Sequence, residues 1–261
     1  MVKTIEQSNR DISTLKDLLS ERRTTSSSQP KNYLNTVVLK PWGYEFLLFE
    51  NEFVAAWFLH INGGQATSMH CHPQKKTSLV ILSGRALSYT FSQRNLLSPF
   101  EAVIVKKGVF HSTSALGTEG IDLIEVETPP NKTDLVRLQD KYGRESSGYE
   151  GLSEMINTRL EKYNFFHFDE TKLIGNKVTL PKYDIELKQF GTENIPAKNL
   201  FTSPALYCNC RDSIRITDAD GATNEIGTGD LITSKNINFN ADLSEQKISL
   251  LKISPTAKGN S

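Results

Sequence analysis

Between residues 37 and 127 no apolar pattern runs longer than a short strand before turn residues interrupt it. Residues 37–39 meet Pro41-Trp42-Gly43, residues 44–49 follow, and residues 54–61 end at Gly63-Gly64. Residues 67–72, 78–82, 86–91, 102–105 and 121–127 read as further strands. Their separators are residues 73–76, Ser83-Gly84, Ser98-Pro99 and residues 117–120. Many short strands punctuated in this way point to an all-β sandwich or barrel, and closure would cover the sheet edges. Pro41 belongs at a strand end or edge, because it cannot donate to a ladder. Alternation over residues 54–61 puts Val54, Ala56, Phe58 and His60 on one face and Ala55, Trp57, Leu59 and Ile61 on the other.

Three of the five histidines lie between Gly63 and His111: His70, His72 and His111. The His70-x-His72 spacing puts both imidazoles on one face of a strand. His111 follows a strand and the Gly108 turn, so it can reach the same face from a neighbouring strand. Three imidazoles from two strands form a metal site that leaves coordination positions open for water or substrate. One divalent ion (zinc, manganese, iron or nickel) is the expected cofactor. The plainer alternative is three structural histidines. His60 offers a fourth polar group, expected to pair with backbone or solvent.

With 261 residues the chain has room for one large domain or two ordinary ones. Thirty basic residues balance thirty acidic ones, so nothing favours nucleic acid or an anionic membrane as partner. No apolar run approaches the roughly 20 residues of a membrane helix. The first residues, Met1-Val2-Lys3-Thr4-Ile5-Glu6-Gln7, lack a signal-peptide core, so a cytoplasmic protein is expected. Cys71, Cys208 and Cys210 are odd in number and do not suggest a disulfide framework.

Gly64-x5-His70-x-His72, Ser83-Gly84 and Gly108-x2-His111 resemble the two motifs of the cupins, small β-barrels of jelly-roll type. The first cupin motif usually carries a Glu four or five residues after its second His. Lys76 and Thr77 stand there, so the resemblance implies a site of three histidines without the carboxylate. Three further stretches occur in order: Lys40-Pro41-Trp42-Gly43-Tyr44-Glu45, the histidine block, and Asp134-x-Val136-Arg137-x-x-Asp140-x-Tyr142-Gly143-Arg144. Over residues 36–145 they resemble the cupin domain of type II mannose-6-phosphate isomerases, which is often fused to mannose-1-phosphate guanylyltransferase. His72 and His111 fall on that family's metal positions, and Tyr142-Gly143-Arg144 on its C-terminal motif. The chain departs from it at His70, where Gln is typical, and at Lys75, Thr77 and Leu79, where Arg, Glu and Trp are typical. By composition alone residues 134–144 are a short amphipathic helix or strand, with Arg137 and Arg144 as surface charges.

The expected fold class is all-β, two jelly-roll barrels in tandem with an N-terminal helix and a helical connector. Residues 1–22 carry a helical stripe of Ile5, Ile12, Leu15, Leu18 and Leu19, read as a solvated arm or oligomer contact, and residues 24–30 a Ser/Thr-rich linker. Residues 1–30 are thus helix and linker, 31–146 a metal-binding cupin domain, 147–170 a connector, 171–255 a degenerate cupin and 256–261 a tail. In the connector, Leu152, Met155, Ile156 and Leu160 have helical spacing over residues 152–163, and Phe165-Phe166-His167-Phe168 reads as a strand or domain junction. In the degenerate cupin, residues 230–240 lie over residues 101–111 without a gap, Asn240 falling on His111, and nothing matches His70 or His72. Cys208-x-Cys210 reads as buried free thiols.

Resemblance and residues together imply a metal-dependent cupin acting on a sugar phosphate or nucleotide-sugar precursor, isomerase- or epimerase-like. Candidate catalytic groups are Glu45, Glu101, Glu125 and Lys75, with Glu127 beside them. Candidate phosphate-binding cations are Lys40, Lys75, Arg85 and Arg144. The missing motif carboxylate favours an alternative, a three-histidine Fe(II) dioxygenase. The ligand-free second half leaves a third, a non-catalytic sugar-binding bicupin. The expected partner is a small phosphorylated sugar, with a homodimer implied by resemblance.

Overall fold

The computed structural model describes residues 1–21, 32–144, 152–172, 176–191, 195–201, 204–217, 221–233, 242–243 and 247–256. The first part of the chain forms β1 (Val2–Ile5), β2 (Val37–Lys40), β3 (Gly43–Glu50), β4 (Ala55–Ile61), β5 (Met69–Cys71), β6 (Lys76–Ser83), β7 (Arg85–Thr90), β8 (Arg94–Leu97), β9 (Ala102–Val105), β10 (His111–Leu116), β11 (Ile121–Thr128) and β12 (Val136–Gln139). With β13 (Met155–Ile156) they make two facing sheets, ordered β1-β9-β6-β11-β4-β3-β2-β13 and β12-β5-β10-β7-β8. Strands near in sequence alternate between the sheets, as in a jelly roll, and the all-β expectation holds.

The eight-stranded sheet buries both faces, as the alternation in residues 54–61 predicted. Trp57, Leu59 and Ile61 face inward with Leu79, Ile81, Val103 and Leu123. Val54, Ala56 and Phe58 face outward with Phe46, Val80, Ile124 and Val126. The outer face is covered by a second sandwich. Its five-stranded sheet (Lys177–Thr179, Tyr183–Phe190, Ile248–Pro255, Leu206–Asn209, Leu231–Thr233) contributes Ile185, Leu187, Leu206, Leu251 and Ile253 to that same core. The other face of this sheet packs Tyr207, Ile232, Ile248 and Leu250 with Ile214 and Ile216 of a four-stranded sheet. Four sheet layers result, with apolar packing in all three gaps.

Several expectations need correction. Residues 1–5 are not helical: β1 runs parallel to β9, from Val2 opposite Ala102 to Ile5 opposite Val105, and covers that sheet edge. The helix, α1, is Asn9–Glu21. Ser8 and Asp11 begin it as a reciprocal cap, the Asp11 carboxylate accepting the Ser8 N–H at 2.8 Å and the Ser8 hydroxyl accepting the Asp11 N–H at 3.3 Å. Nor is α1 a solvated arm, since Leu15 and Leu18 pack against Cys71, Phe110 and Val136.

The connector is not one helix. It has 3-10 turns at Leu152–Glu154 and Leu160–Tyr163, with β13 between them pairing to Val37 and Val38. Arg159 adopts a left-handed conformation (φ 55°), which stops a continuous helix. Residues 165–168 form a junction: Phe165 and Phe166 pack on Phe46, and Phe166 on Phe58. Strands β8 and β10 and the Leu231–Thr233 pairing complete the ladders. The expected linker at 24–30, the start of the connector at 147–151 and the overlay of Phe239 and Asn240 lie outside the described residues. Cys208 and Cys210 are free and buried.

Candidate metal centre

Strand β5 places the site. It lies between β12 and β10, with His70 opposite His111 on one side and opposite Arg137 on the other. Alternation sends His70 and His72 inward and Cys71 outward. The three imidazole centroids stand 4.5, 4.9 and 5.4 Å apart, and one ring nitrogen from each lies within 4.8 Å of the others. The sequence expectation that these three histidines converge is met.

Hydrogen bonding sets the tautomers. Nδ1 of His70 donates to the Ser68 carbonyl at 2.8 Å, Nδ1 of His72 to the Asp134 carbonyl at 2.6 Å and Nδ1 of His111 to the Val109 carbonyl at 3.0 Å. A carbonyl can only accept, so each Nδ1 carries the proton and each Nε2 keeps its lone pair. Nε2 of His72 is buried with no hydrogen-bond partner among the described residues. Burial pushes the pKa of His70 and of His72 well below the ordinary imidazole range, and that of His111 down to about 4. Neighbouring cationic side chains add to this for His70 and His72. Three neutral imidazoles oriented by their far nitrogens are the donor set for a divalent transition ion. The residues therefore fit such an ion.

Opposite the triad, the inner face of the eight-stranded sheet carries charge. Lys75 Nζ lies 2.8 Å from Glu127, Lys132 lies 3.2 Å from Glu127 and 3.0 Å from Glu45, and Lys40 lies 3.4 Å from Glu45. The Lys132 ammonium also sits 3.7 Å above the Trp57 ring. Burial alone would discharge Lys132, but Glu127, Glu45 and Glu125 outweigh it and hold the ammonium charged. Burial likewise disfavours the Glu127 carboxylate, yet Lys132 and Lys75 bring its pKa below the ordinary value. Glu125 stands apart. Its carboxylate is 3.8 Å from His72 Nε2, and burial raises its pKa to about 7 despite Lys132 nearby.

Between triad and carboxylates lies a space of about 470 Å³ open to solvent, lined by Lys40, Trp42, Glu45, Glu125, Arg137 and Arg144 among others. Five of the residues expected at the site from sequence thus fall together: Lys40, Glu45, Lys75, Glu125 and Arg144. Lys75 is tied to Glu127 and to the Asn131 carbonyl at 2.9 Å, so it is an internal ion partner. Two candidates do not join the site. Arg85 is exposed, because on β7 the inward positions are Ala86, Ser88 and Thr90. Glu101 lies in the turn before β9, where it accepts the Ser98 N–H at 3.0 Å. His60 pairs with a side chain instead of backbone, Nδ1 standing 2.7 Å from Asp122. Sequence reasoning missed Lys132 and took Arg137 for surface charge. Arg137 is buried at the cavity wall. Its signal was the Val136-Arg137 pair in the C-terminal motif.

A sandwich of two facing sheets, with an HxH strand and a third histidine on the adjoining strand, is cupin-like in fold. No family model matches the chain. Mannose-1-phosphate guanylyltransferase ManC of Salmonella typhimurium is 25% identical over 116 residues, 44% of this chain and 24% of that protein. The chain thus spans about a quarter of the length of that curated relative. Among solved structures, a cupin-2 domain protein of Rhodospirillum rubrum shares 15% identity over 43% of this chain and 86% of that one, with a TM-score of 0.34. CapF, a capsular polysaccharide assembling protein of Staphylococcus aureus, shares 16% identity over 40% of this chain and 34% of that one, with a TM-score of 0.36. KdgF of Halomonas sp. shares 16% identity over 36% and 85%, with a TM-score of 0.34. No helix among the described residues is long and apolar enough to cross a membrane.

Proposed function

We propose that the first sandwich is a metal-dependent catalyst acting on a phosphorylated sugar, by isomerisation or epimerisation next to a carbonyl carbon. The observation that carries this reading is the placement of Glu125, whose pKa burial raises to about 7, beside three neutral, convergent imidazoles, 3.8 Å from His72 Nε2. An ion held by His70, His72 and His111 supplies Lewis acidity towards a sugar carbonyl or hydroxyl. Glu125 takes the proton from the carbon beside that carbonyl and returns it to the carbonyl carbon, while the hydroxyl proton of the first carbon passes to the former carbonyl oxygen, a role suited to a pKa near the working pH. Glu45 and Glu127 pair with Lys40, Lys75 and Lys132 and keep the opposite wall polar. Arg137 binds the phosphate, with Lys40 beside it and with Arg144, whose guanidinium is oriented by Asp140 at 2.7 Å. The likeness to a mannose-1-phosphate guanylyltransferase over 116 residues supports a phosphorylated sugar as substrate.

The test is elemental analysis of purified protein beside His70→Ala/His72→Ala, followed by a screen of hexose and pentose phosphates. Stoichiometric zinc, manganese or nickel lost in the variant, with turnover abolished by His72→Ala, is the expected result. Turnover by a metal-free variant would sink the proposal. Stoichiometric iron with O2 consumed alongside substrate would replace it with dioxygenase chemistry.

A further inference from the structure

The two strands that carry the triad, and β12 beside them, share an outer support. Inward go His70, His72, His111 and Arg137. Their outward neighbours Cys71, Phe110 and Val136 form one apolar cluster against Leu15 and Leu18 of α1. A single helix therefore lies behind every ligand. Support is needed here, because β5 and β10 are in register at only one residue pair, His111 opposite His70.

Asp11 makes the contact specific. It is 2% exposed, and its Oδ1 accepts the N–H of Phe110, the residue before His111, at 2.8 Å. Its Oδ2 is held by Ser8. The turn leading into Phe110 is held at its other end as well, the Gly108 N–H donating to the His72 carbonyl at 2.8 Å. A Cβ on Gly108 would come 2.2 Å from Gln7 Nε2, so the residues leading into α1 lie directly on that turn. Arg10 stands 4.4 Å over the Phe91 ring, which stacks on Phe110 at 5.3 Å.

We propose that Asp11, carried by α1, is a positioning residue for the metal centre, and that docking of α1 and binding of the ion are coupled. The inference rests on the metal reading above. Asp11 fixes the backbone at Phe110 and thereby the approach of His111 to His70 and His72. Coupling of this kind is reciprocal: if docking tightens ion binding, the ion tightens docking by the same factor.

Cobalt(II) as the probe gives a readout independent of turnover. Its visible absorption is titrated in wild type, Asp11→Ala, Asp11→Asn, Leu15→Ala and His72→Ala, and hydrogen exchange of α1 amides is followed with and without the ion. We expect Asp11→Ala and Leu15→Ala to bind cobalt about tenfold more weakly at unchanged stoichiometry, the lower end of the range for outer supports of metal ligands. Asp11→Asn, which keeps an acceptor for the Phe110 N–H, should recover part of the loss. Cobalt should slow α1 exchange in wild type and not in His72→Ala. Wild-type cobalt affinity in Asp11→Ala and Leu15→Ala, with only the urea midpoint lowered, would overturn the inference and leave the metal reading standing. A wild type that takes up no cobalt would overturn both.

Discussion

Lys132→Met tests whether the cavity's charged wall is a built feature of the fold. The ammonium bridges Glu45 at 3.0 Å and Glu127 at 3.2 Å and covers Trp57 at 3.7 Å. Removing one partner of a buried ion pair costs about 3–5 kcal/mol, chiefly because a charge stays buried without compensation. Here Glu45 keeps Lys40 at 3.4 Å and Glu127 keeps Lys75 at 2.8 Å, so the lower end applies. Loss of the cation over Trp57 adds about 1 kcal/mol. The methionine side chain returns a similar amount through apolar contact with the ring. The expected destabilisation is therefore about 3 kcal/mol. Urea denaturation followed by tryptophan fluorescence measures it selectively, because the two tryptophans, Trp42 and Trp57, both lie in the first sandwich. The midpoint should fall with little change in slope. The double variant Lys132→Met/Glu45→Gln should lose less than the sum of its single variants, with a coupling of about 1–3 kcal/mol. A single-variant loss under about 1 kcal/mol, together with simple additivity, would show that the network adds nothing to stability and refute the reasoning.

Four other outcomes follow from the same geometry. Gly43→Ala should lower the unfolding midpoint by the equivalent of about 2–3 kcal/mol, because a Cβ there would sit 2.0 Å from the His60 carbonyl oxygen and force β3 off β4; an unchanged melt contradicts this. Glu125→Gln should retain the metal while cutting turnover by about 10²–10⁴-fold, checked by metal analysis beside steady-state kinetics. Arg137→Met should raise KM for a phosphorylated substrate about tenfold with kcat little affected, the pattern of a lost ground-state contact. Removal of the ion by chelation should lower stability by about 2.7 kcal/mol relative to protein held at a hundredfold excess of metal over its Kd, read by calorimetry.

Much of the site was legible because strand alternation is a strict local rule. His70-x-His72 shares a face in any strand, and the two apolar sets of residues 54–61 separate onto the two faces of β4 as alternation requires. The same rule would have rejected Arg85, had the Ala86-x-Ser88-x-Thr90 series been identified as the inward one. That choice depends on which face of β7 meets the core, and neither face is strongly apolar. Ser8-x-x-Asp11 was readable as a helix start and would have excluded a helix from residue 1. Lys132 was not readable, because its reach across the cavity depends on the path of the loop from residue 129 to 133. Glu125 becomes distinct from Glu45 and Glu127 only in the fold, where no ammonium among the described residues pairs with it. Arg159 gives no local sign of its left-handed backbone, so the connector's helical spacing misled.

The second sandwich, which carries no histidine, serves the first by covering the back of its cavity-lining sheet. Strands β6 and β11 present Thr77, Glu125 and Glu127 to the cavity and Val80, Ile124 and Val126 to the second sandwich. β6 is gripped from that side: Lys76 Nζ donates to the Thr228 carbonyl at 2.7 Å and lies 2.6 Å from Asp230, and the Ser78 hydroxyl donates to the Gly229 carbonyl at 2.7 Å. The approach is tight enough that a Cβ on Gly229 would come 2.1 Å from Thr128 Oγ1. This sheet needs cover on both faces, and on the outer one Phe46, Phe58 and Ile124 meet Ile185, Leu251 and Ile253 of the second sandwich. Residues 1–170 produced alone should therefore expose a continuous apolar surface, associate in solution and bind a hydrophobic dye, whereas the full chain does not. Light scattering and dye fluorescence compare the two directly. A monodisperse, dye-silent fragment with full metal content would show that the first sandwich is self-sufficient and that its partner has some other task.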